Sequence, residues 1–487
     1  MSTINYRLIC LLIGLFLSKL TMLMVIPLGL SFIDHDGLTF HYVQSAGVTA
    51  ISAIALLALG RGTRRSLSQL TMRVRDMFML TTLTWLVMTA FAALPLIFVP
   101  HTSYTDAFFE TMSGVTTTGS TVMSGLDALP RSILIWRSLL QWLGGIGFIV
   151  MGVGILPFLN VGGMRLFQTE SSDWSDKPVP QTRRYTQQLL WLYIGLTLLC
   201  SLCYWLTGMS LFEAICHAMT TLSTGGFSTS DSSMAEFSSA SHWVGSVFML
   251  LGGLPFILFI LMIRRRSLKI WRDEQVSGYL ALIAVTTLIL SVWMWQVEPV
   301  DYIDALRLTL FNIVSVITTT GFALGDYTQW GSLAVVMFFF LTFVGGCSGS
   351  TAGGLKIFRF QVAFKVIYQH MKRLVHPAGI FPRRYNDREI SDEIITSMIV
   401  LMHLFFLTWV LLSLALAMLG IEPLTALTGA LTALTNVGPG LGDQIGPSGN
   451  FADLPDTAKW LLSIAMLLGR LEITTAAVLL LPTFWRK

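Results

Sequence analysis

Residues 116–119 read Thr116-Thr117-Thr118-Gly119, and three later segments of the chain align with this tetrapeptide without gaps. The last glycines of successive copies are spaced by 107, 95 and 117 residues, so each repeat is about a hundred residues long. One copy of so short a pattern carries little weight, whereas four copies in register predict one repeated structural unit. The other three tetrapeptides are Ser223-Thr224-Gly225-Gly226, Thr318-Thr319-Thr320-Gly321 and Thr435-Asn436-Val437-Gly438.

The flanks of the four tetrapeptides agree in kind. Each tetrapeptide follows an apolar stretch of about ten residues, too short to cross a bilayer as a helix. Thirteen residues before the glycine stand Asp106 and Glu213 in the first two repeats, where a carboxylate suits a helix N-terminus, and Leu308 and Thr425 in the others. Longer apolar runs lie on either side, so the predicted unit is span, half-helix, extended loop and span. The predicted half-helices cover 107–115, 214–222, 308–317 and 426–434.

Composition places the chain in a membrane. Of its 487 residues, 54% are hydrophobic and 12% are charged, against roughly a quarter charged in soluble proteins. Most of the apolar runs are long enough to span hydrocarbon as helices, and the one after the third tetrapeptide is interrupted. The ten runs are Leu8 to Phe32, Val43 to Leu59, Met77 to Val99, Ile133 to Leu159, Leu189 to Leu206, Val244 to Ile263, Leu280 to Trp295, Leu333 to Val344, Ile394 to Leu419 and Trp460 to Phe484.

Charge is distributed unevenly between alternate loops. Twenty-five of the 31 basic residues fall on one side, including a large cluster from Lys356 to Arg388, and the positive-inside rule makes this side cytoplasmic with both termini inside. The opposite side carries 16 carboxylates, Glu110 among them, against four basic residues. Ordinary loop solvation and an outer mouth that concentrates cations are both consistent with this excess, and both can hold at once. The four outer basic residues are Arg131, Arg137, Arg307 and Lys459.

The residue types in the tetrapeptides suit cation binding. Non-helical backbone at membrane depth is tolerated only inside protein or beside a watery cavity. Four such loops around one axis would present carbonyl and hydroxyl oxygens that replace the water around a dehydrated cation, and glycine allows the backbone to turn its carbonyls inward. All sixteen tetrapeptide residues are therefore candidate potassium ligands. The competing interpretation is four Gly/Thr helix-packing motifs within ordinary spans.

Beyond the pattern, the sequence resembles a known family, the membrane subunits of the Trk/Ktr potassium-uptake systems, nearest to the bacterial TrkH/TrkG type. The resemblance covers nearly the whole chain. The segments that carry it are Phe109 to Gly119, Gln141 to Gly147, Ile155 to Pro157 through Gly162 to Met164, Gly345 to Gly354, Thr435 to Gly442 and Leu468 to Glu472.

This resemblance implies an all-α polytopic membrane protein, with two N-terminal transmembrane helices and four span–pore-helix–span repeats around a pseudo-fourfold central pore. The corresponding division is 1–70 for the extra helices, then 71–180, 181–273, 274–388 and 389–487 for the repeats. It also implies potassium as the transported ion, a homodimer in the bacterial inner membrane in contact with lipid, and a cytosolic TrkA-type nucleotide-binding partner. The chain contains no nucleotide motif of its own, and nothing in it points to nucleic acid.

A second candidate element interrupts the third repeat. Residues 345–354, the glycine-rich segment, hold five glycines in ten positions, and each costs a helix roughly 1 kcal/mol relative to alanine. We expect a flexible loop at membrane depth just inside the tetrapeptides. A helix kink that permits close packing is the plainer interpretation, and a gate that blocks the pore is the one that the resemblance supports. The candidate gate residues are Gly345, Gly346, Cys347, Ser348, Gly349, Ser350, Thr351, Ala352, Gly353 and Gly354, together with Arg470.

Arg470 lies deep in the last apolar run, where an unpaired arginine is costly. It could face the cavity, form an ion pair with Glu472, or cap carbonyls of the glycine-rich segment, and these alternatives are compatible. His217 lies on the second half-helix and is interpreted as a satisfied helix residue, with proton coupling as the minor alternative. Lys19 lies in the N-terminal helices, and no transport role is assigned to it.

Other classes of protein fit less well. A proton- or sodium-coupled symporter would need ionisable residues near the midplane, for which Arg470, Glu472 and the glycine-rich segment are the candidates. The spans contain no nucleophile–base or metal-ligand constellation, so we do not expect an enzyme. A purely structural or receptor protein would not need four oxygen-rich loops at matching depth. The first and third tetrapeptides carry one glycine where the Thr-Val-Gly-Tyr-Gly filter of tetrameric potassium channels carries two, so we predict moderate discrimination against sodium.

Overall fold

A computed structural model describes residues 4–61, 73–154, 180–265, 271–386 and 388–486. In these ranges seven helices are long and apolar enough to cross a membrane, and two bent helix pairs raise the number to nine if each pair is one span. The described chain is helical apart from loops and four two-residue strands, which confirms the predicted class of polytopic helical membrane protein. The segment from Ile155 to Met164 and the basic residues Arg64, Arg65, Arg165, Lys177, Arg266, Lys269 and Lys487 lie outside the described residues.

The first helices form a hairpin outside the repeats. Helices α1 (Tyr6–Leu23) and α2 (Val25–Asp34) make the first span, and α3 (Thr39–Leu59) packs back against α1. The approach is close at Gly60, where an added methyl group would lie 2.6 Å from the Cβ of Leu11. Asp36, in the connection between α2 and α3, accepts a hydrogen bond from Ser132 at 2.5 Å, so the hairpin is tied to the first repeat.

Each repeat contains a long first helix and a short second helix. The short helices reach the tetrapeptides as predicted, but they begin three to six residues earlier than the apolar pattern indicates. The long helices are α4 (Val74–Ala92), α7 (Pro180–Leu206), α11 (Glu274–Val297) and α15 (Asp392–Met418). The short helices are α5 (Tyr104–Val115), α8 (Leu211–Leu222), α12 (Tyr302–Ile317) and α16 (Pro423–Thr435). Short 3₁₀ turns cover Leu94–Phe98, Leu126–Ala128, Tyr327–Trp330 and Val478–Leu480.

Two of the short helices begin with reciprocal caps. The hydroxyl of Ser103 accepts the N–H of Asp106 at 3.1 Å, and the Asp106 carboxylate accepts the N–H of Ser103 at 3.2 Å. Ser210 and Glu213 repeat this arrangement at 3.3 and 2.9 Å. The carboxylates therefore lie in the first turn, as the sequence predicts, and the serines are the capping residues. Helices α12 and α16 begin without a side-chain cap.

The helices that follow the tetrapeptides differ from one repeat to the next. In the first repeat α6 (Arg131–Gly154) is continuous. In the second, α9 (Ser239–Gly252) and α10 (Phe256–Arg265) meet at a bend of 90°. In the fourth, α17 (Asp456–Arg470) and α18 (Ile473–Ala477) meet at 110°, and α19 (Pro482–Trp485) ends the described chain.

The runs Val244 to Ile263 and Trp460 to Phe484 were interpreted as long enough to span the membrane as helices, and in the structure each is made of two helices that meet at a bend. In the second repeat the break has a local cause, because Pro255 cannot donate the hydrogen bond that would continue the helix across Gly253 and Leu254. In the fourth repeat it falls at Glu472, whose φ of 54° lies in the left-handed region.

The third repeat is interrupted by the glycine-rich segment, as predicted. Helix α13 (Ser332–Leu341) ends before it and α14 (Ile357–Val375) begins after it. Strands β1 (Val344–Gly345) and β2 (Leu355–Lys356) pair in parallel, Val344 with Leu355 and Gly345 with Lys356. This pairing holds the two ends of the segment together, so the residues between them form a closed loop. An antiparallel pair, β3 (Arg384–Tyr385) and β4 (Arg388–Glu389), follows α14.

The described residues form two large hydrophobic clusters and a smaller third one around Phe358 and Tyr385. One large cluster joins the N-terminal hairpin to the first and fourth repeats, and the other joins the second repeat to the third. The chain ends meet at the start of α4, where the N–H of Asn5 donates to Asp76 at 3.0 Å and Arg75 donates to the carbonyl of Arg486 at 3.2 Å. Both ends therefore lie on the same side of the molecule. The exact boundaries of the five predicted domains stay predictions.

Candidate ion pathway

The four tetrapeptides are folded alike. In each, the N–H of the third residue donates to the carbonyl five residues back, inside the short helix, and the polypeptide thereby leaves the helix in a Schellman-type turn. Every residue in the first two positions of the four tetrapeptides is fully buried. The four hydrogen bonds are Thr118 to Ser113 at 2.8 Å, Gly225 to Thr220 at 2.9 Å, Thr320 to Ser315 at 2.8 Å and Val437 to Thr432 at 3.1 Å.

Two positions in every tetrapeptide have left-handed backbone. The final glycines have φ of 89°, 76°, 81° and 112° in chain order, as the sequence predicts. The second residues, Thr117, Thr224, Thr319 and Asn436, also have positive φ, between 52° and 56°. The positive φ at the second position was not predicted from the sequence. Asn436 in the fourth tetrapeptide was a signal for it, because asparagine tolerates this region better than most residues. A β-branched threonine held there costs on the order of 1–3 kcal/mol.

The four tetrapeptides meet in a closed ring. A methyl group built on Gly119 would lie 2.4 Å from the carbonyl oxygen of Gly225 in the second tetrapeptide. The same construction on Gly226 reaches the third tetrapeptide, on Gly321 the fourth, and on Gly438 the first again. The glycines are therefore required for space as well as for φ, and the prediction that they lie around a common centre is confirmed. The remaining three distances are 1.9 Å to Thr320, 2.1 Å to Val437 and 2.7 Å to Thr118.

A cavity of about 300 Å³ opens on one side of the ring, where all four final glycines line it. Its wall includes Arg137, which forms a buried ion pair with Glu110 at 2.8 Å. Glu110 also accepts the N–H of Val122 at 2.9 Å, and Arg137 donates to the carbonyl of Ser228 at 3.0 Å. This pair therefore joins the chain leaving the first tetrapeptide to the chain leaving the second.

The outer charge count needs correction. Glu110 was counted as a surface carboxylate, yet it is fully buried and neutralised by Arg137. All four basic residues assigned to the outer side are paired with acids, so none of them stands as a free positive charge at the mouth. The other pairs are Arg131 with Asp34, Arg307 with Asp304 at 2.7 Å and Lys459 with Asp106 at 2.6 Å.

The glycine-rich segment lies against the opposite side of the ring. The N–H of Gly353 donates to the hydroxyl of Thr319 at 2.6 Å, and the hydroxyl of Thr351 donates to the carbonyl of Leu222 at 3.1 Å. A methyl group on Gly353 would lie 2.5 Å from the carbonyl of Thr435. The segment thus touches three of the four repeats where the tetrapeptides begin. It also bonds to the bend of the second repeat, since the N–H of Cys347 donates to the carbonyl of Gly253 at 2.9 Å.

Arg470 holds the glycine-rich segment in place by a hydrogen bond. It donates to the carbonyl of Thr351 at 3.0 Å and to that of Gly144 at 3.4 Å, and its guanidinium lies 4.0 Å from the ring centre of Phe148. Of the alternatives for Arg470, carbonyl capping is the one that the structure contains. The alternative ion pair with Glu472 is absent, because Glu472 pairs with Arg359 at 2.8 Å.

Two further charged residues of this region were missed. Lys356 and Arg359 were assigned to the basic cytoplasmic loop, but both are buried, at 3% and 1% exposure. Lys356 donates to the carbonyl of Ala352 in the glycine-rich segment, and Arg359 pairs with Glu472 at the bend of the fourth repeat. The signal in the sequence was their place directly after the glycine-rich segment, where helix α14 begins inside the molecule.

His217 is satisfied within the protein. Its Nδ1 lies 2.9 Å from the carbonyl of Glu213, and its Nε2 lies 3.0 Å from the hydroxyl of Ser228. It therefore supports the chain behind the second tetrapeptide. Lys19, in the N-terminal hairpin, lies 5.8 Å from the ring centre of Phe16, away from the ring of tetrapeptides.

Comparisons with known proteins agree with this geometry. Residues 45–487 match the family model TrkH, described as a cation transport protein. The Trk system potassium uptake protein TrkI of Halomonas elongata is 51% identical over 415 residues, which cover 85% of this chain and 84% of that protein. TrkH of the same organism is 36% identical over 489 residues, covering 99% and 100%. The crystal structure of the potassium transporter TrkH from Vibrio parahaemolyticus superposes with a TM-score of 0.90 at 33% identity, covering 99% and 100% of the two chains.

Proposed function

Because this chain belongs to the TrkH family of cation transport proteins, we propose that it takes up potassium across the bacterial inner membrane through the ring of tetrapeptides. The observation that carries the proposal is the closed ring itself, in which each glycine abuts the carbonyl of the next tetrapeptide. The names of the relatives, which are potassium uptake proteins, support potassium as the ion.

The ring can replace water around a cation. Backbone carbonyls and threonine hydroxyls are the oxygen donors that potassium accepts when it loses its hydration shell. The four short helices end at the ring, so the negative ends of their dipoles add to the attraction for a cation. Only one residue in each tetrapeptide is a glycine of positive φ, which supports the prediction of moderate rather than strict discrimination against sodium.

The glycine-rich segment is proposed as the gate. It lies across the end of the ring away from the cavity, and its bonds to Thr319, Leu222 and Arg470 hold it there. For an ion to leave the ring on that side, the segment must move. Strand β2 connects the glycine-rich segment directly to helix α14, so a protein that binds outside the membrane and displaces α14 would also displace the segment.

The remaining expectations from the family belong to this proposal. The positive-inside distribution supports cytoplasmic termini, and the meeting of both chain ends at α4 supports their lying on one side. A homodimer and a cytosolic TrkA-type nucleotide-binding partner complete the proposed assembly. Cross-linking in native membranes and the effect of nucleotides on uptake with the partner present are the measurements that decide these two points.

Ion-coupled symport is the second candidate. Arg359 and Glu472 form a buried ion pair below the ring, and Lys356 is buried beside them, which supplies more ionisable groups at depth than the sequence indicated. In planar bilayers, a current that reverses at the potassium equilibrium potential indicates a channel. A reversal potential that follows the proton or sodium gradient indicates symport.

Reconstitution tests the main proposal. Purified wild-type protein in liposomes should take up potassium and rubidium faster than sodium. A variant that disrupts the ring should lose the uptake of all three cations. Liposomes whose uptake of every cation equals that of empty vesicles, with the partner present, would contradict the proposal.

A further inference from the structure

One side chain outside the tetrapeptides reaches into the ring. Gln141, on helix α6 of the first repeat, is fully buried. Its amide nitrogen donates to the carbonyl of Gly225 at 2.6 Å, and its amide oxygen accepts the N–H of Phe227 at 3.0 Å. The two bonds fix the orientation of the amide, because exchanging its nitrogen and oxygen would break both.

Gln141 explains why the second tetrapeptide departs from the others. Gly225 does not need to be glycine for its backbone, since its φ lies outside the left-handed region. It needs to be glycine for space, because a methyl group there would lie 2.4 Å from the Cδ and Oε1 atoms of Gln141. The first and third tetrapeptides carry Thr118 and Thr320 at this position instead.

Those threonines are held by a different bond. The hydroxyl of Thr118 lies 2.7 Å from that of Thr116, and Thr320 lies at the same distance from Thr318. The second tetrapeptide therefore replaces an internal hydroxyl pair with the amide of another repeat. The bonded carbonyl, that of Gly225, is the one that abuts Gly119 and so forms the first link of the ring.

We propose that Gln141 is a specificity-determining residue of the ring, which holds one of the four third-position carbonyls by a hydrogen bond and thereby sets cation preference. This rests on the proposed function. A carbonyl that already accepts an amide N–H offers a weaker field to a cation, and a weaker field favours potassium, which holds its water less tightly than sodium does. The bond also prevents that carbonyl from moving inward to fit the smaller ion.

The first experiment compares Gln141→Leu with Ser138→Ala in liposomes. Leucine is close to glutamine in size but donates no hydrogen bond, so the carbonyl of Gly225 loses the bond that holds it. We expect the potassium-to-sodium uptake ratio to fall about fivefold or more. Ser138 lies on the same helix and donates to the carbonyl of Leu134 there, so Ser138→Ala should leave the ratio unchanged.

The second experiment uses the space that Gln141 fills. Gly225→Thr alone should lower uptake, because its side chain displaces the amide of Gln141 and breaks the two hydrogen bonds that this amide makes. The double variant Gln141→Ala with Gly225→Thr removes the overlap and allows a hydroxyl pair with Ser223, as in the first and third tetrapeptides. We expect it to recover uptake relative to Gly225→Thr and to show a potassium-to-sodium ratio different from that of the wild type.

The outcomes separate the two proposals. Wild-type uptake, measured in the same preparation, tests the proposed function. With wild-type uptake present, an unchanged ion ratio in folded Gln141→Leu overturns the role of Gln141, as does a double variant no better than Gly225→Thr. A purely structural role would lower the amount of folded protein and the uptake of all cations together, leaving their ratio as in the wild type, and that result also overturns the proposal.

Discussion

The ring of tetrapeptides and the layer beneath it are built in different ways. In the ring, all four repeats use the same turn, with positive φ at the same two positions and the same hydrogen bond back to the short helix. In the layer beneath, the helix that follows the tetrapeptide is continuous in the first repeat, bent by 90° in the second, interrupted by the glycine-rich segment in the third and bent by 110° in the fourth. A cation needs oxygens from all sides, whereas a moving part needs only one side that differs. Under the proposed function, the uniform ring is the part that binds the ion, and the glycine-rich segment is the part proposed to move.

The largest effect should come from a glycine of the ring. Gly321→Ala combines positive φ with overlap of the Val437 carbonyl at 2.1 Å, and we expect uptake to fall about a hundredfold, from roughly 3 kcal/mol of combined strain. Gly325→Ala is the matched control, because Gly325 has φ of 70° but nothing within 4 Å of an added methyl group. Its uptake should stay within about twofold of the wild type, since it carries backbone strain alone. Equal loss in the two variants would show that φ, and not the ring contact, is what matters.

The second largest effect is expected when the glycine-rich segment is released from Arg470. Arg470→Ala removes the charged hydrogen bond to the Thr351 carbonyl, a contact worth about 1.5–3 kcal/mol, and we expect ion flux without the partner to rise about tenfold. Arg307→Ala, at the other end of the molecule, should not raise flux. Unchanged or lower flux for Arg470→Ala at normal expression would count against the segment as a closed gate.

A smaller effect should distinguish two threonines of the ring, Thr117 and Thr319. Thr117 and Thr319 share the strained conformation, but the hydroxyl of Thr117 has no partner among the described residues, whereas that of Thr319 accepts the N–H of Gly353. Thr117→Asn should therefore stabilise the protein by about 1 kcal/mol, measured by thermal unfolding in detergent. Thr319→Asn should gain less stability. Because it loosens the glycine-rich segment, it should also raise the ion flux measured without the partner protein. If both variants gave the same stability and the same flux, the bond to Gly353 would have no energetic role.

The smallest effect concerns the outer ends of the short helices, which are capped in the first two repeats only. Burial alone would raise the pKa of Asp106, but hydrogen bonds from Lys459 and Ser103 lower it below its ordinary value. A lowered pKa means that its contribution is present above the unfolded pKa and is lost as pH falls through the folded value. Asp106→Asn should thus cost about 0.5–1 kcal/mol at neutral pH, a difference that begins to shrink on acidification below about pH 4 and is lost once the pH falls below the lowered pKa of Asp106.

Asp304→Asn is the control for this measurement. Asp304 lies in the first turn of α12 but is mostly exposed and forms no reciprocal cap, so its replacement should change thermal unfolding less at every pH. A pH-independent difference between wild type and Asp106→Asn would contradict the assignment.

Much of the fold followed from the sequence because its signals are local and repeated four times. Half-helix length, capping carboxylates and final glycines are each visible within a dozen residues. The break at Pro255 was also visible and was overlooked within a long apolar run. The break at Glu472 was not visible, because glutamate is not a residue that favours positive φ and its partner, Arg359, lies 113 residues away in the sequence.

The grouping of the sixteen candidate ligands was predictable from the sequence, and the residues that support them were less so. The sixteen tetrapeptide residues lie together, and the glycine-rich segment lies against them. Arg137, the partner of Glu110, lies in another helix, and the partners of Gln141 lie in the loop of another repeat. The burial of Lys356 and Arg359 reverses the usual assignment of basic residues to loops. Such pairings are set by three-dimensional packing, and one sequence without its fold does not specify them.

The ring closes on itself although one polypeptide makes every link, from Gly119 to Gly225 onward and back from Gly438 to Thr118. In an assembly of four identical subunits, any substitution alters all four quadrants at once. Here a single substitution changes one quadrant of the ring, and the other three quadrants stay unchanged for comparison within the same molecule. Coordination around the ion can therefore be adjusted stepwise, and a graded series of variants can be made without linking subunits together.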